Sequence, residues 1–263
     1  MAKRIFKKKR VLKRRSFKKS KKGSLKKLIR RTVQQVAEKK VINDFDIGAD
    51  ILPSNAAVLA AQPVCFTTGG FAVNQGVAQN QRIGNRIRMV RATIKGVISP
   101  APYDVTYNPA PQPSLVQMFI FYDKENTTSA PAVAGVTDFF QLGGSSMGFT
   151  NDLIDTWLPI NTDRYSVLHR QVFKVGYQKY DGTGYVAAAQ AHGNNDYKMT
   201  NAFSVDLTKM LPKIVRYNDN SANATSRGLY FMLVATASDG TAYGATRIPA
   251  KFAWTTEAHY TDI

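Results

Sequence analysis

Arg86-Ile87-Arg88-Met89-Val90-Arg91-Ala92-Thr93-Ile94-Lys95-Gly96-Val97-Ile98 is the stretch on which the fold turns. Ile87 and Met89 alternate with Arg86 and Arg88. Ala92, Ile94 and Ile98 then alternate with Arg91, Thr93 and Lys95. A period of two marks a strand with one apolar and one polar face. The phase slips by one residue at Val90-Arg91. A single slip inside a long strand predicts a β-bulge. The polar face then carries Arg86, Arg88, Arg91 and Lys95 together. Such a row meets phosphate, meets a neighbouring acidic surface, or is a solvated strand face.

The same period recurs on both sides of this strand. Phe203, Val205 and Leu207 alternate with Ser204, Asp206 and Thr208. Ile248, Ala250, Phe252 and Trp254 alternate with Arg247, Pro249, Lys251 and Ala253. Leu115 to Tyr122 and Leu229 to Ala237 are apolar on both faces, as central strands are. Strands are expected near 56–67, 86–99, 115–122, 164–175, 200–208, 213–217, 229–237 and 246–256. Long connections separate them at 68–85, 99–114, 123–163 and 176–199. Eight strands with long end loops predict an all-β fold, a single eight-stranded jelly-roll sandwich over residues 41–263. The 99–114 loop holds five of the eleven prolines, at 100, 102, 109, 111 and 113, and is expected as a stiff exposed excursion. Short helical turns are expected at Asp138 to Leu142 and Thr150 to Asp155.

Upstream of residue 41 the chemistry changes. Residues 1–40 hold nineteen Lys or Arg and one acid, Glu38, for a charge of +18. Residues 41–263 hold the remaining seventeen bases and seventeen acids, for a charge of zero. The first forty residues cannot build a core, because they are apolar-poor and self-repelling. They read as a disordered arm. Its cations are Lys3, Arg4, Lys7, Lys8, Lys9, Arg10, Lys13, Arg14, Arg15, Lys18, Lys19, Lys21, Lys22, Lys26, Lys27, Arg30 and Arg31, besides Lys39 and Lys40. A nucleic-acid backbone is the polyanion that best matches this density. Phosphate contacts of this kind position and neutralise without reading sequence. Phe6 and Phe17 offer stacking surfaces for unpaired bases. The runs also match a nuclear-import signal. After the break at Gly23-Ser24, Leu25, Leu28, Ile29, Thr32, Val33 and Val36 fall at helical spacing. A short amphipathic helix over 25–40 follows, with Ser24 as its N-cap.

Other classes find little support. No apolar run approaches the ~18 residues of a membrane span. The longest, Leu229 to Ala237, has nine. No secretory signal follows Met1. The single cysteine, Cys65, forms no internal disulfide. Gly144-Ser145-Ser146-Met147-Gly148 matches the G-x-S-x-G spacing, but no buried strand leads into it. His169, His192 and His259 show no metal-ligand spacing. Asp181-Gly182-Thr183-Gly184 lacks a phosphate-loop ending and reads as a turn. No catalytic residues, metal site or cofactor are expected.

Three segments carry a family resemblance. Gln75-Gly76, Asn80-Gln81-Arg82-Ile83-Gly84-Asn85 and the strand that follows resemble an early strand junction in coat proteins of small circular single-stranded DNA viruses, circovirus-like and geminivirus-like. Asn161 to Tyr177, with Asp163-Arg164-Tyr165 leading into Val167-Leu168, resembles a middle strand of that group. Pro212-Lys213-Ile214-Val215-Arg216-Tyr217-Asn218, followed by Leu229-Tyr230-Phe231, resembles its late strands. The lysine-rich arm departs from the arginine-rich arms of many relatives, which leaves the branch open. The resemblance implies a virion capsid protein whose copies, sixty in the family, close an icosahedral shell with arms inward on a single-stranded DNA genome. About sixty such arms would carry on the order of a thousand positive charges. It further implies nuclear import by host machinery before assembly and outer loops that meet a host receptor. Phosphate contacts alone leave RNA as an alternative cargo. The alternative function is a non-viral nucleic-acid packaging or ribosome-associated protein. A β-sandwich enzyme or lectin with an import tail is a third.

Overall fold

The computed structural model describes Leu25 and residues 39–51, 64–65, 72–125, 138–180, 185–187, 197–222, 224–225, 228–244 and 246–263. Residues Lys39–Ile263 form one compact unit. Its strands are β1 (Lys39–Ile51), β2 (Val64–Cys65), β3 (Arg86–Pro100), β4 (Ser114–Asp123), β5 (Phe140–Leu142), β6 (Ser145–Met147), β7 (Tyr165–Val175), β8 (Gln178–Tyr180), β9 (Tyr185–Ala187), β10 (Asn201–Asp206), β11 (Ile214–Arg216), β12 (Leu229–Ala237) and β13 (Ala250–Asp262).

One sheet runs β1-β13-β3-β10, with β11 also paired to β3. The other runs β2-β12-β4-β7. Set aside the two small hairpins and β11, and eight strands remain. The first of these pairs with the last (β1 with β13), the second with the seventh (β2 with β12), the third with the sixth (β3 with β10) and the fourth with the fifth (β4 with β7), all antiparallel. This nesting is a long hairpin rolled into two facing sheets. It is the jelly roll, established here by strand order alone.

The bulge lies where the phase slip placed it. Arg91 pairs with His259 and Met89 with Tyr260, so Val90 is the extra residue on β3. On the other edge of β3, β10 pairs residues 93–98 and β11 pairs residues 86–88, so the bulge falls between the two neighbours. Gly96 answers a packing need. A Cβ there would come within 2.6 Å of Phe203 Cζ and 2.7 Å of the Ala253 carbonyl oxygen. The Phe203 ring occupies the room that the missing side chain leaves.

Two apolar layers follow from the alternation. Ile87, Ile94, Ile98, Val116, Met118, Ile120, Phe231 and Leu233 fill the space between the sheets. Phe119, Phe121, Tyr165, Tyr230, Met232 and Val234 point the other way and form a second cluster with Phe139, Phe140 and Leu158. The segment 138–160 therefore lies over the outer face of the second sheet. Its rings interlock edge-on, with Phe119–Phe139 centroids 5.0 Å apart and Phe140–Phe149 4.8 Å. This covering explains why β4 and β12 are apolar on both faces.

Several expectations are corrected. Lys39 and Lys40, the end of the expected helix, begin β1. Leu25 is helical; the rest of that expected helix, residues 26–38, lies outside the described residues. The eighth long strand is β1, not residues 213–217, which give only the three-residue β11. Residues 138–142 do not form a helical turn. Phe140–Leu142 pairs with Ser145–Met147, because Gly143 (φ +61°) and Gly144 (φ +86°) supply a two-residue hairpin turn. A 3-10 turn does form at Leu153–Thr156. Of the strand expected near 56–67, only Val64–Cys65 is described.

Candidate nucleic-acid interface

Residues 138–160 cover the outer face of the second sheet, whereas the outer face of the first sheet carries exposed side chains among the described residues. Arg86, Arg88, Arg91 and Lys95 are all exposed there. Without the bulge at Val90, an unbroken alternation would turn either the first pair or the second pair into the core.

The row divides chemically at the bulge. Thr93, between Arg91 and Lys95, has Asp206 of β10 on one side and Glu257 of β13 on the other. The Asp206 carboxyl is held below its usual range, first by the Thr208 hydroxyl and N–H, with Arg91 and Lys209 adding to the effect. Glu257 is likewise held down, first by a 2.5 Å contact with His259 Nε2 and then by the charges of His259, Arg91 and Lys95. Arg91 and Lys95 thus have acids beside them. Neither Arg86 nor Arg88 forms an ion pair among the described residues.

Behind this face lie two buried cations that charge patterning does not reveal. Lys40 is 1% exposed and pairs with Asp262 at 2.9 Å. It also donates to the Gln81 carbonyl at 2.8 Å. Arg82 is fully buried. It donates to the carbonyls of Gly84, Asn218 and Ser221 and to Asn85 Oδ1. Its guanidinium lies 4.6 Å from the Tyr217 ring centroid. Arg82 thereby fastens the 74–85 loop to the turn after β11. The resemblance segments around Arg82 and Tyr217 are in contact here. The third segment has its own network. Arg164 bridges Asp138 at 2.6 Å, Asp123 at 3.3 Å and Glu125 at 3.3 Å. Burial works against the Arg164 charge, but the bonds to Asp123 and Asp138 outweigh it and hold its pKa above normal.

Lys3 through Arg31, the cations of the arm, lie outside the described residues, as do His192 and Asp181–Gly184. Ser146 sits in the middle of β6, paired with Gln141, and β6 runs into non-helical residues 148–152 rather than an α-helix. A nucleophile elbow needs that helix. His169 lies in β7 with its Nε2 3.4 Å from Gln171 Oε1. Among the described residues no three His, Cys, Asp or Glu are placed to hold a metal ion. No helix among them is long and apolar enough to cross a membrane.

No family model and no curated relative matches this chain. Among solved structures it is similar to the semi-empty virus-like particle of the giant freshwater prawn Macrobrachium rosenbergii nodavirus. That likeness has 10% identity and a TM-score of 0.34, over 100% of this chain and 95% of the other. It is also similar to the 60-mer BFDV capsid protein, at 10% identity and a TM-score of 0.30, over 85% of this chain and 92% of that one. Both are viral capsid proteins.

Proposed function

We propose that this chain is a viral coat protein, a structural subunit that self-assembles into an icosahedral shell and packages single-stranded DNA through its basic N-terminal arm. One observation carries the reading: a jelly roll joined to a segment that holds all of the chain's excess charge. Residues 41–263 are neutral and residues 1–40 carry +18. Viral capsids, lectins and cupins share this architecture. The lectin and cupin readings use the polycation only as an import tail. A shell gives the charge itself a role, because closed symmetric packing multiplies one arm into a charged interior. The arm's basic runs would also serve nuclear import before assembly, and the outer loops would meet the host receptor.

Electron microscopy of the purified full chain, with and without nucleic acid across salt and pH, tests this. Closed particles holding nuclease-protected nucleic acid are expected. Monomers or dimers alone under every condition would overturn it.

A further inference from the structure

The unpaired end of the cation row is larger than the sequence shows. Arg86 is directly opposite Arg216 of β11. Directly opposed side chains have Cβ atoms about 5 Å apart. Arg88 lies two residues along β3, about 7 Å away on the same face. One strand further, Arg88 pairs with Thr261 of β13, and Thr261 pairs with Lys39 of β1. Four exposed cations from three strands therefore share one corner of one face.

Like charges set directly opposite one another destabilise a ladder. Nothing among the described residues offsets them here. None of the four forms an ion pair among the described residues. Two acids near this end of the sheet have partners of their own: Asp262 pairs with Lys40, and Asp219 accepts from the Asn85 amide. The far end of the same strand is built differently, with Asp206 and Glu257 beside Arg91 and Lys95. Ile214, 50% exposed and opposite Arg88, gives the corner an apolar floor.

We infer that Lys39, Arg86, Arg88 and Arg216 form a phosphate-binding surface on the folded body, which grips the backbone of a single-stranded polynucleotide. The inference rests on the reading above that nucleic acid is the arm's partner. Lys39 opens β1, the first strand of the compact unit. The body thus offers phosphate contacts of its own in addition to those of the arm. The contacts are to phosphate, so binding is sequence-independent.

The test uses the full chain and an oligo-dT probe, with binding followed by fluorescence anisotropy over a salt series. Each single-strand phosphate contact contributes about 0.7 to the slope of log K against log salt. The variant R86Q/R88Q/R216Q should lower that slope by about 2. Restoring charge with R86K/R88K/R216K should restore it. Without polynucleotide the glutamine variant should be at least as stable as the parent, because opposed like charges are gone. Should the triple variant fail to fold, R216Q alone should lower the slope by about 0.7. An unchanged slope overturns the inference while leaving the arm reading intact. A parent chain that fails to bind oligo-dT even at low salt overturns both. A variant that binds normally but alters sedimentation of nucleic-acid-free protein would make the corner a contact between copies, and also overturns the inference.

Discussion

Lys40 and Asp262 form an ion pair of 2.9 Å where the first and last strands of the roll lie side by side. The lysine is 1% exposed and the aspartate 21%. The pair ties the start of β1 to the end of β13. Removing one partner of a buried pair costs more than replacing the charge with apolar volume. Asp262→Ala should therefore destabilise the body by about 2–4 kcal/mol, since Lys40 would keep only the Gln81 carbonyl. Lys40→Met should cost less, about 0–2 kcal/mol. Urea unfolding of the two variants measures the difference. The opposite ranking would mean that Lys40 acts mainly through its contact with the loop.

Arg82 poses a similar problem with more partners. Fully buried, it holds three carbonyls and one amide oxygen and lies against Tyr217. Arg82→Met removes the charge together with its bonds to the Gly84, Asn218 and Ser221 carbonyls and to Asn85 Oδ1. A loss of about 3–5 kcal/mol is expected. Arg82→Lys should recover only a small part, because an ammonium cannot span the fork of acceptors. Limited proteolysis should cut first in the 74–85 loop. Cutting first elsewhere would show that this loop is held by other contacts.

The sequence and the structure agree where one physical signal dominates. The bulge at Val90 was legible because a one-residue slip in a period of two has few other causes. β1 was hidden for two reasons. Its first residues, Lys39 and Lys40, continue a charge run. Asn43, Asp44, Asp46 and Asp50 then spoil the alternation, yet the strand pairs with β13 along nearly its whole length. Its hydrogen bonds come from the partner strand, which no local pattern encodes. The two-faced apolarity of β4 and β12 was legible, but its cause was not. Phe139 and Phe140 fall in an expected helical turn and Phe149 in the long 123–163 connection, and only the fold brings them over Phe119 and Phe121. Charge predicts exposure, so the burial of Lys40 and Arg82 ran against the strongest cue available. Arg216 lies within a recognised segment, but its place opposite Arg86 depends on a pairing across more than a hundred residues.

Gly96 should tolerate no side chain. The added Cβ of Gly96→Ala meets Phe203 Cζ at 2.6 Å and the Ala253 carbonyl at 2.7 Å. The ring is able to shift, whereas the carbonyl belongs to the ladder with β13. A loss of about 1–3 kcal/mol is expected. Gly96→Ala combined with Phe203→Leu should show a coupling energy, since the leucine relieves one of the two contacts. Strict additivity in denaturant unfolding would place the strain at the carbonyl alone.

The arm and the corner separate by their salt dependence. A chain lacking residues 2–22 loses thirteen of the nineteen Lys and Arg in residues 1–40 but keeps Lys39, Arg86, Arg88 and Arg216. Nucleic acid should then be lost from assembled material at physiological salt. Weak binding of oligo-dT should persist at low salt, with a slope near 3 from the four remaining contacts and additions from residues 26–31. The body should unfold at the parent's denaturant midpoint, because its apolar core is drawn from residues between Ile42 and Tyr260. Retained packaging at physiological salt would move the main binding surface onto the folded body.

Acid should loosen the loops of the roll before its core. Four carboxyls are held below their ordinary range by local donors. Asp104 accepts the N–H groups of Tyr107 and Thr106. Asp206 is held by the Thr208 hydroxyl and N–H, and Asp239 by the Thr241 N–H and hydroxyl. Glu257 is held by His259. Each folded pKa lies below its unfolded value, so the unfolded chain takes up protons first as pH falls. The contribution is complete above the ordinary carboxylate value and is lost as pH drops through the folded one. Stability should be flat from neutrality to about pH 5 and decline below about pH 4. Asp104→Asn, Asp206→Asn and Asp239→Asn keep an acceptor oxygen at each turn but remove the titration. The combined variant should lose part of the acid slope in denaturant midpoints measured against pH. An unchanged slope would show that these three turns do not set the acid response.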